Sequence, residues 1–446
     1  MTTIAETIQK KSTRRERFAW YIYDFGNSAY ASVVLLAVYS AYFQGTVVGG
    51  AEGSRLWGRS IAIAMVIVAL ISPFLGVIAD YSAFKKRFLF FFTTLSVIFT
   101  GLLFFIEQGD IVTGMLFFIL AEIGYRSAQV FYDGLLPEIA NPEDMGSISG
   151  KGWAIGSVGG VVCLLIILPL IVIIKGAFIV RLAMVITAVF WAISAIPIFL
   201  WLPERAKKRK LAVGENYLSL AVRQLARTIS TAGHFKEFIK FMAAYLIFND
   251  GVIMALDFAA IMGAVLFGME QQMLIIFVVI VNVTNVFGAY LFGILVDRIG
   301  GKRSLNISIG MMIALIIGLF FAKSQLVFII IGAVAGLAMA GIQSVARTMV
   351  GLFSPRGQSA EFYGFFAVIG RTSSFIGPAV YGFLAAEAAI WYQNAGKDII
   401  LAEQLGQRIA ILSIAAFLLV GMILLQFVNE KRIKEERERN VRPEFL

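Results

Sequence analysis

The chain has 446 residues, 59% of them hydrophobic and 39 of them Phe, with a mean hydropathy of +0.84. Soluble domains hold roughly 45–50% apolar residues, so this composition excludes an ordinary globular protein and places most of the chain in lipid. The net charge of +10 does not point to nucleic acid, because Lys and Arg gather at the chain ends and in alternate loops, the pattern that sets membrane orientation. With one cysteine, Cys163, and one histidine, His234, the sequence offers no disulfide and no Cys/His metal site, and it carries no cofactor motif.

Twelve apolar stretches are long enough to cross a core of ~30 Å: near 18–43, 58–80, 88–106, 111–133, 148–174, 178–202, 238–266, 271–296, 304–322, 325–350, 362–386 and 407–428. The first 17 residues are basic, but Asp24, Gly26 and Asn27 interrupt the run that follows, which argues against a cleaved signal. Asp24, Asn27 and Ser28 share one face of the first span. The second span ends in Gly76-Val-Ile-Ala-Asp80, followed by Lys85-Lys86-Arg87. An Asp at a helix C-terminus opposes the macrodipole and must serve another partner, either the N-terminus of a neighbouring helix or a basic side chain. The Gly one turn earlier lets that neighbour approach closely.

A charge at mid-membrane costs ~2.5–3.5 kcal/mol, so the fourth span stands out. Glu122, Arg126, Gln129 and Asp133 follow at i, i+4, i+7 and i+11 and form one polar stripe, with Glu placed before Arg in the favourable order. Two readings stand: a self-neutralised pair that locks helices, or the lining of a solute cavity. Gly150, Gly152, Gly156, Gly159 and Gly160 give the fifth span a small-residue surface, and Gly377-Pro378 predicts a kink in the eleventh. These are surfaces on which halves rock, or sites of static packing. Trp20, Tyr23, Tyr42 and Trp201 lie near span ends and read as interfacial anchors.

The longest loop, 203–237, holds Glu204-Arg-Ala-Lys-Lys-Arg-Lys210 and reads as a topogenic, lipid-surface segment. The seventh span supplies Asn249, Asp250 and Asp257, and the eighth Asn282 and Asn285, for which buried interhelical hydrogen bonds compete with a cavity role. The tenth span places Gly336, Ala340, Gln343 and Arg347 at helical spacing, and Arg371 falls in the eleventh. A charged tail follows from Asn429.

The loop after the eighth span repeats the earlier device as Gly293-Ile-Leu-Val-Asp297-Arg298-Ile-Gly-Gly-Lys302-Arg303, 217 positions after Gly76. Gly134 and Gly351 keep the same offset, as do Gly160 and Gly377. Ala19-Trp-Tyr-Ile-Tyr-Asp24-Phe-Gly26 also aligns with Ala244-Tyr-Leu-Ile-Phe-Asn249-Asp-Gly251 at a similar offset. Such a series implies two parallel six-helix repeats with a substrate site between them near the midplane. The expected division is 1–202 and 238–428 for the two halves, 203–237 for a basic linker, and 429–446 for a tail.

The paired loop resembles the cytoplasmic loop signature of the major facilitator superfamily, and the second copy is the fuller match. Further motifs are Trp20-Tyr-Ile-Tyr-Asp24-Phe-Gly-Asn27, Phe131-Tyr-Asp-Gly-Leu-Leu-Pro137-Glu138, Ile148-Ser-Gly-Lys-Gly152-Trp, Asn249-Asp250-Gly251, Gly341-Ile-Gln343-Ser-Val-Ala-Arg347 and Glu361-Phe-Tyr-Gly364. Together they resemble the vacuole-effluxer-like branch of that superfamily, which includes a fungal vacuolar amino-acid exporter linked to autophagy. Gly26 and Asp133 depart from the expected Ala and Asn, and Arg371 from the more usual Lys. The resemblance implies solute transport through a cavity lined by the first, fourth, seventh and tenth helices, and it suggests amino acids as solutes.

The expectation is therefore an all-α integral membrane protein of twelve helices, acting as a secondary transporter of a small polar or zwitterionic solute, with efflux favoured. Asp24, Asn27, Glu122, Arg126, Gln129, Asp133, Asn249, Asp250, Asp257, Gln343, Arg347 and Arg371 are the expected substrate or coupling residues. Gly76, Asp80, Gly293, Asp297, Arg298, Lys302 and Arg303 are the expected conformational loops, with the larger effect at Asp297. With no His in a span, a carboxylate must carry any coupled proton, and Asp24 and Asp250 rank first as rough repeat equivalents. An intramembrane enzyme is excluded for want of a nucleophile and base at one depth, and no ATP-binding loop is present. A lipophilic-compound exporter and a non-transporting sensor are the alternatives. The expected partners are the solute, a coupling proton or cation and membrane lipids, for a monomer in a bacterial inner membrane. Both termini are expected in the cytoplasm, with the loops near 44–57 and 387–406 outside.

Overall fold

In lipid every backbone N–H and C=O must find its partner within the protein, so long apolar runs have little choice but to be helical. The structure, a computed structural model, describes residues 12–48, 50–206, 208, 216–217, 219–223, 235–269, 271–355, 358–430 and 432. Among them are twelve long helices. The first half holds α1 (Arg14–Val48), α2 (Gly50–Ser82), α3 (Lys85–Leu102), α4 (Ile111–Gly134), α5 (Met145–Ile174) and α6 (Ala177–Trp201). The second holds α7 (Lys236–Phe267), α8 (Gln271–Ile299), α9 (Gly301–Phe321), α10 (Gln325–Phe353), α11 (Ser359–Asn394) and α12 (Ile399–Gln426). Eleven of these helices contain a stretch long and apolar enough to span a membrane; the other, α11, is 36 residues long and includes positions 371–375, whose side chains lie outside the description.

Thr13 and Glu16 start α1 with a reciprocal capping box. The helix is regular to Tyr30 and then widens into π-type turns at Ala31–Ala37 and Phe43–Val48. Helices extend further than hydropathy suggested. Residue 49 alone separates the described parts of α1 and α2, so the expected outer loop near 44–57 is largely helix. The one near 387–406 shrinks to a turn between Asn394 and Ile399, where Gly396 takes a positive φ of 81° and the Asp398 side chain caps α12 at Ile400 N. Hydropathy marks the apolar part of a helix, whereas the backbone ladder continues into the polar zone until a cap or a glycine stops it.

Two main apolar cores result, one from α1–α6 with Ala360 of α11 and the other from α7–α12 with Val130 of α4. Trp20, Tyr23 and Tyr42 are buried in the first core and are not interfacial anchors. Trp20 stacks on Tyr132 at 4.5 Å and donates its indole N–H to the Tyr132 carbonyl, and Tyr23 stacks on the same ring. Trp201 is half-buried, with the Arg15 guanidinium over its ring.

The sequence repeat reappears as a repeated clamp. In the first half, Glu204 accepts the N–H groups of Lys85 and Lys86 at the start of α3, and Lys86 Nζ donates to the Phe199 carbonyl near the end of α6. Burial pushes the Glu204 carboxyl up from its usual value, opposed by the Lys85 N–H. In the second half, Glu430 accepts Lys302 N at 2.6 Å, and Lys302 Nζ donates to the Gln426 and Val428 carbonyls at the end of α12. Each clamp satisfies orphan groups at two helix ends at once. Ser12 bonds the Ile139 carbonyl, Arg205 bridges to Glu16, and Asn429 N bonds Glu237, so both described chain ends lie on one face, here the terminal face. Linker residues 207, 209–215, 218 and 224–234, His234 among them, and the tail beyond Arg432 lie outside the described residues.

Candidate functional site

The halves meet in a polar seam that runs from the terminal face to mid-depth. Asp297, at the end of α8, accepts the N–H groups of Gly146 and Ser147 at the start of α5, both at 2.8 Å. A helix N-terminus is a ready anion site, so this carboxylate joins the halves through the α5 dipole. A Cβ at Gly293 would lie 2.8 Å from the Gly146 carbonyl, and only glycine admits that approach. The first copy is built likewise with a different partner. Asp80 Oδ2 accepts Glu361 N at the start of α11, while its Oδ1 pairs with buried Lys85 at 3.0 Å. Lys85 Nζ also reaches Glu138 and the Ser359 hydroxyl, both at 2.8 Å. A Cβ at Gly76 would fall 2.5 Å from the Ala360 carbonyl. Arg298 and Arg303 are exposed and Lys302 belongs to the clamp, so the two Asp and two Gly residues of the signature face the seam.

The fifth-span glycines divide between two duties. Gly150 abuts Ala289 and Gly293 of the other half, whereas Gly152, Gly156, Gly159 and Gly160 pack on Trp20, Asp24, Phe25 and Ser32 of α1. Nearer mid-depth, Asn285 Oδ1 accepts Trp153 Nε1 and Ser157 Oγ across the seam, while Asn282 is exposed and bonds its own helix. The hydrogen bonds that join the halves at Asp297, Asp80, Lys85 and Asn285 lie in this terminal-side part, so the protein is closed there.

Arg347 of α10 reaches into the first half. Its guanidinium bonds Ser149 O at 2.5 Å and Ser149 Oγ at 3.0 Å, and lies 3.5 Å from Asp133 and 3.7 Å from Asp24. The Trp20 and Trp153 rings flank it at 5.2 and 5.5 Å. Asp24 is thus paired with Arg347. Arg126 instead binds Glu122 of its own helix at 2.6 Å; Glu122 is fully buried, while the Arg126 side chain keeps 22% exposure. Tyr30, Tyr125 and Trp191 pack around this pair, with the Arg126 guanidinium 5.0 Å from the Tyr125 ring. Gln129 and Asp133 continue the stripe and are half-buried.

In the second half Gln343 donates to Asn249 at 3.1 Å. Asp250 accepts Gly377 N at 2.8 Å, just before Pro378, and Asp257 is exposed. Asn27 is buried on α1, and the Arg371 side chain lies outside the description. The expected residues therefore form separate groups, with Asp24, Asp133 and Arg347 in one and Glu122 and Arg126 in another.

A family model described as "Vacuole effluxer Atg22 like" matches residues 59–438. The chain belongs to that family. It is 27% identical over 436 residues to the uncharacterized MFS-type transporter YxiO of Bacillus subtilis, an alignment covering 95% of this chain and 97% of that one. It is also 27% identical over 257 residues to autophagy-related protein 22-1 of Penicillium rubens, covering 53% of this chain and 43% of the fungal protein. A crystal structure of a bacterial homologue of the iron transporter ferroportin in an outward-facing state superposes with a TM-score of 0.68 at 13% identity, over 93% of this chain and 99% of that one. The Escherichia coli fucose:proton symporter gives 0.66 at 15% identity, over 93% and 98%. The fold of this effluxer-family member is thus that of the major facilitator superfamily, and the protein is a multi-pass membrane transporter.

Sequence reasoning missed Ser149, Trp153 and Lys85 as members of these groups. Ser149 and Trp153 sat inside a motif already singled out, Ile148-Ser-Gly-Lys-Gly152-Trp, and Lys85 opened the basic cluster after Asp80. Their partners come from distant helices, which no local spacing reveals.

Proposed function

We propose that this family member is a secondary transporter that moves a small polar or zwitterionic solute, such as an amino acid, out of the cytoplasm by alternating access with a coupled proton or cation. The observation that carries this reading is Arg126, a partly exposed side chain whose guanidinium is fixed within a membrane span by a fully buried Glu122. A charge so placed is costly unless it works, and a guanidinium whose back is held by Glu122 is oriented to receive a carboxylate. The polar stripe continues from it through Gln129 to Asp133, toward the seam. The family's description as vacuole effluxers supports solute transport. We further propose that the terminal face is cytoplasmic, that the halves 1–202 and 238–428 move as units about the 203–237 linker, and that the protein is a monomer of a bacterial inner membrane.

Counterflow of labelled amino acids, dipeptides and organic cations into proteoliposomes tests the solute class. Exchange of lipophilic cations with no exchange of amino acids would sink the reading. Arg126→Lys is expected to insert and melt like the parent yet bind anionic or zwitterionic solutes about tenfold more weakly, since an ammonium lacks the bidentate fork. Equal affinity in the two proteins would remove Arg126 from the site. Orientation is checked by single-cysteine labelling in a Cys163→Ser background. Cysteines in the 203–237 linker are expected to react only from the cytoplasmic side, and outside labelling would invert the topology.

A further inference from the structure

We infer that the socket holding Arg347 in this closed arrangement is a binding site for a solute's guanidinium, or for a primary ammonium at the far end of a side chain, once the halves part at the terminal face. The inference rests on the transporter reading above, and deepens it by naming a cationic solute class.

Arg347 comes from the second half, but the groups around its guanidinium belong to the first: Asp24, Asp133, both oxygens of Ser149, and the rings of Trp20 and Trp153. Two carboxylates, a carbonyl, a hydroxyl and two indole faces are what an organic cation needs in a dry site. The socket is mostly held from its own half. Trp20 is fixed by stacking on Tyr132 and by its indole N–H on the Tyr132 carbonyl. Gly152 and Gly156 bring α5 against Trp20 and Asp24, so close that a Cβ would lie 2.3 Å from the Trp20 ring and 2.9 Å from Asp24 Cγ. Trp153 and the Ser149 hydroxyl are steadied across the seam, through Asn285 and the Ser344 carbonyl.

Opening the terminal face withdraws Arg347 with α10 and leaves Asp24 and Asp133 without that cation. Removing one partner of a buried ion pair is strongly unfavourable, so an incoming cation of the same shape stabilises the open state. Arg347 then acts as an internal competitor that re-enters on closure and displaces the cationic head. Arg126 lies seven residues from Asp133 on the same stripe, or ~10 Å along the helix at 1.5 Å per residue. A solute with its carboxylate on Arg126 and its cationic group near Asp133 is therefore extended, in the manner of arginine.

The test measures binding of agmatine, arginine and leucine to purified protein by calorimetry. Arg347→Ala is expected to raise agmatine affinity at least tenfold with little change for leucine, and Asp24→Asn with Asp133→Asn in that background is expected to abolish the gain. No gain for agmatine, or an equal gain for leucine, overturns the inference. Should Arg347→Ala not be recovered folded, Asp133→Asn alone must lower agmatine and arginine affinity at least tenfold; unchanged affinity overturns it equally. Agmatine binding that fails while amino-acid counterflow proceeds rejects the socket and spares the transporter reading. Binding that follows this pattern with no counterflow of any solute does the reverse.

Discussion

Asp297→Asn will shift the protein toward a state open at the terminal face, raising the labelling rate of a cysteine placed at Ser344 by roughly 30-fold, about 2 kcal/mol of population shift. Ser344 is a suitable reporter because it is fully buried between the halves, where its carbonyl accepts the Ser149 hydroxyl. Asp297 commits both carboxylate oxygens to the partner half, one on Gly146 N and one on Ser147 N. Asn has only one acceptor oxygen there and turns an amide N–H₂ toward the second donor, so a charge-assisted bond worth ~1.5–3 kcal/mol is lost and its N–H is left unsatisfied. Asp80→Asn is expected to give a smaller shift of the same sign. Only one Asp80 oxygen crosses the seam, and the other serves Lys85, which keeps Glu138 as a partner after the change. Membrane levels should stay near the parent's in both variants, because the apolar core of each half is untouched. Unchanged labelling in both would mean that the loops matter for insertion alone.

These seam contacts separate what a sequence can carry from what it cannot. The twelve helices were legible because each apolar run must satisfy its own backbone, and the repeat was legible because paired glycines kept one offset. The Glu122–Arg126 pair was legible too, since its partners lie one turn apart on one helix. Arg347 is the contrary case. Its partners Asp24 and Asp133 lie 323 and 214 positions away, and their meeting depends on how two folded halves dock. The anchor reading of Trp20 and Tyr23 failed for a related reason: closeness to a span end predicts an interface only when no neighbouring helix covers the ring, and α4 covers both through Tyr132. The Asp at each loop could be said to need a partner by electrostatics alone, yet only packing chose α5 for one and α11 with Lys85 for the other.

Arg126→Gln is expected to destabilise the protein more than any other single change at the stripe, by about 3–5 kcal/mol, because it leaves Glu122 with no cation at zero exposure. Glu122→Gln should cost less. Arg126 keeps 22% exposure and the Tyr125 ring, so solvent and the aromatic face still receive its charge. Combining the two changes removes both charges and replaces an ion pair with two amides that can bond one another across the same turn, so thermal stability should return to within about 1 kcal/mol of the parent. Solute binding separates structure from function in this cycle. If Arg126 receives a solute carboxylate, the double variant regains stability but not affinity, and counterflow of zwitterionic solutes stays lost. If Arg126 does no more than neutralise Glu122, counterflow returns together with stability. Melting temperature, solute affinity and counterflow across the four proteins decide between these outcomes, and restored transport in the double variant would remove Arg126 from the solute path.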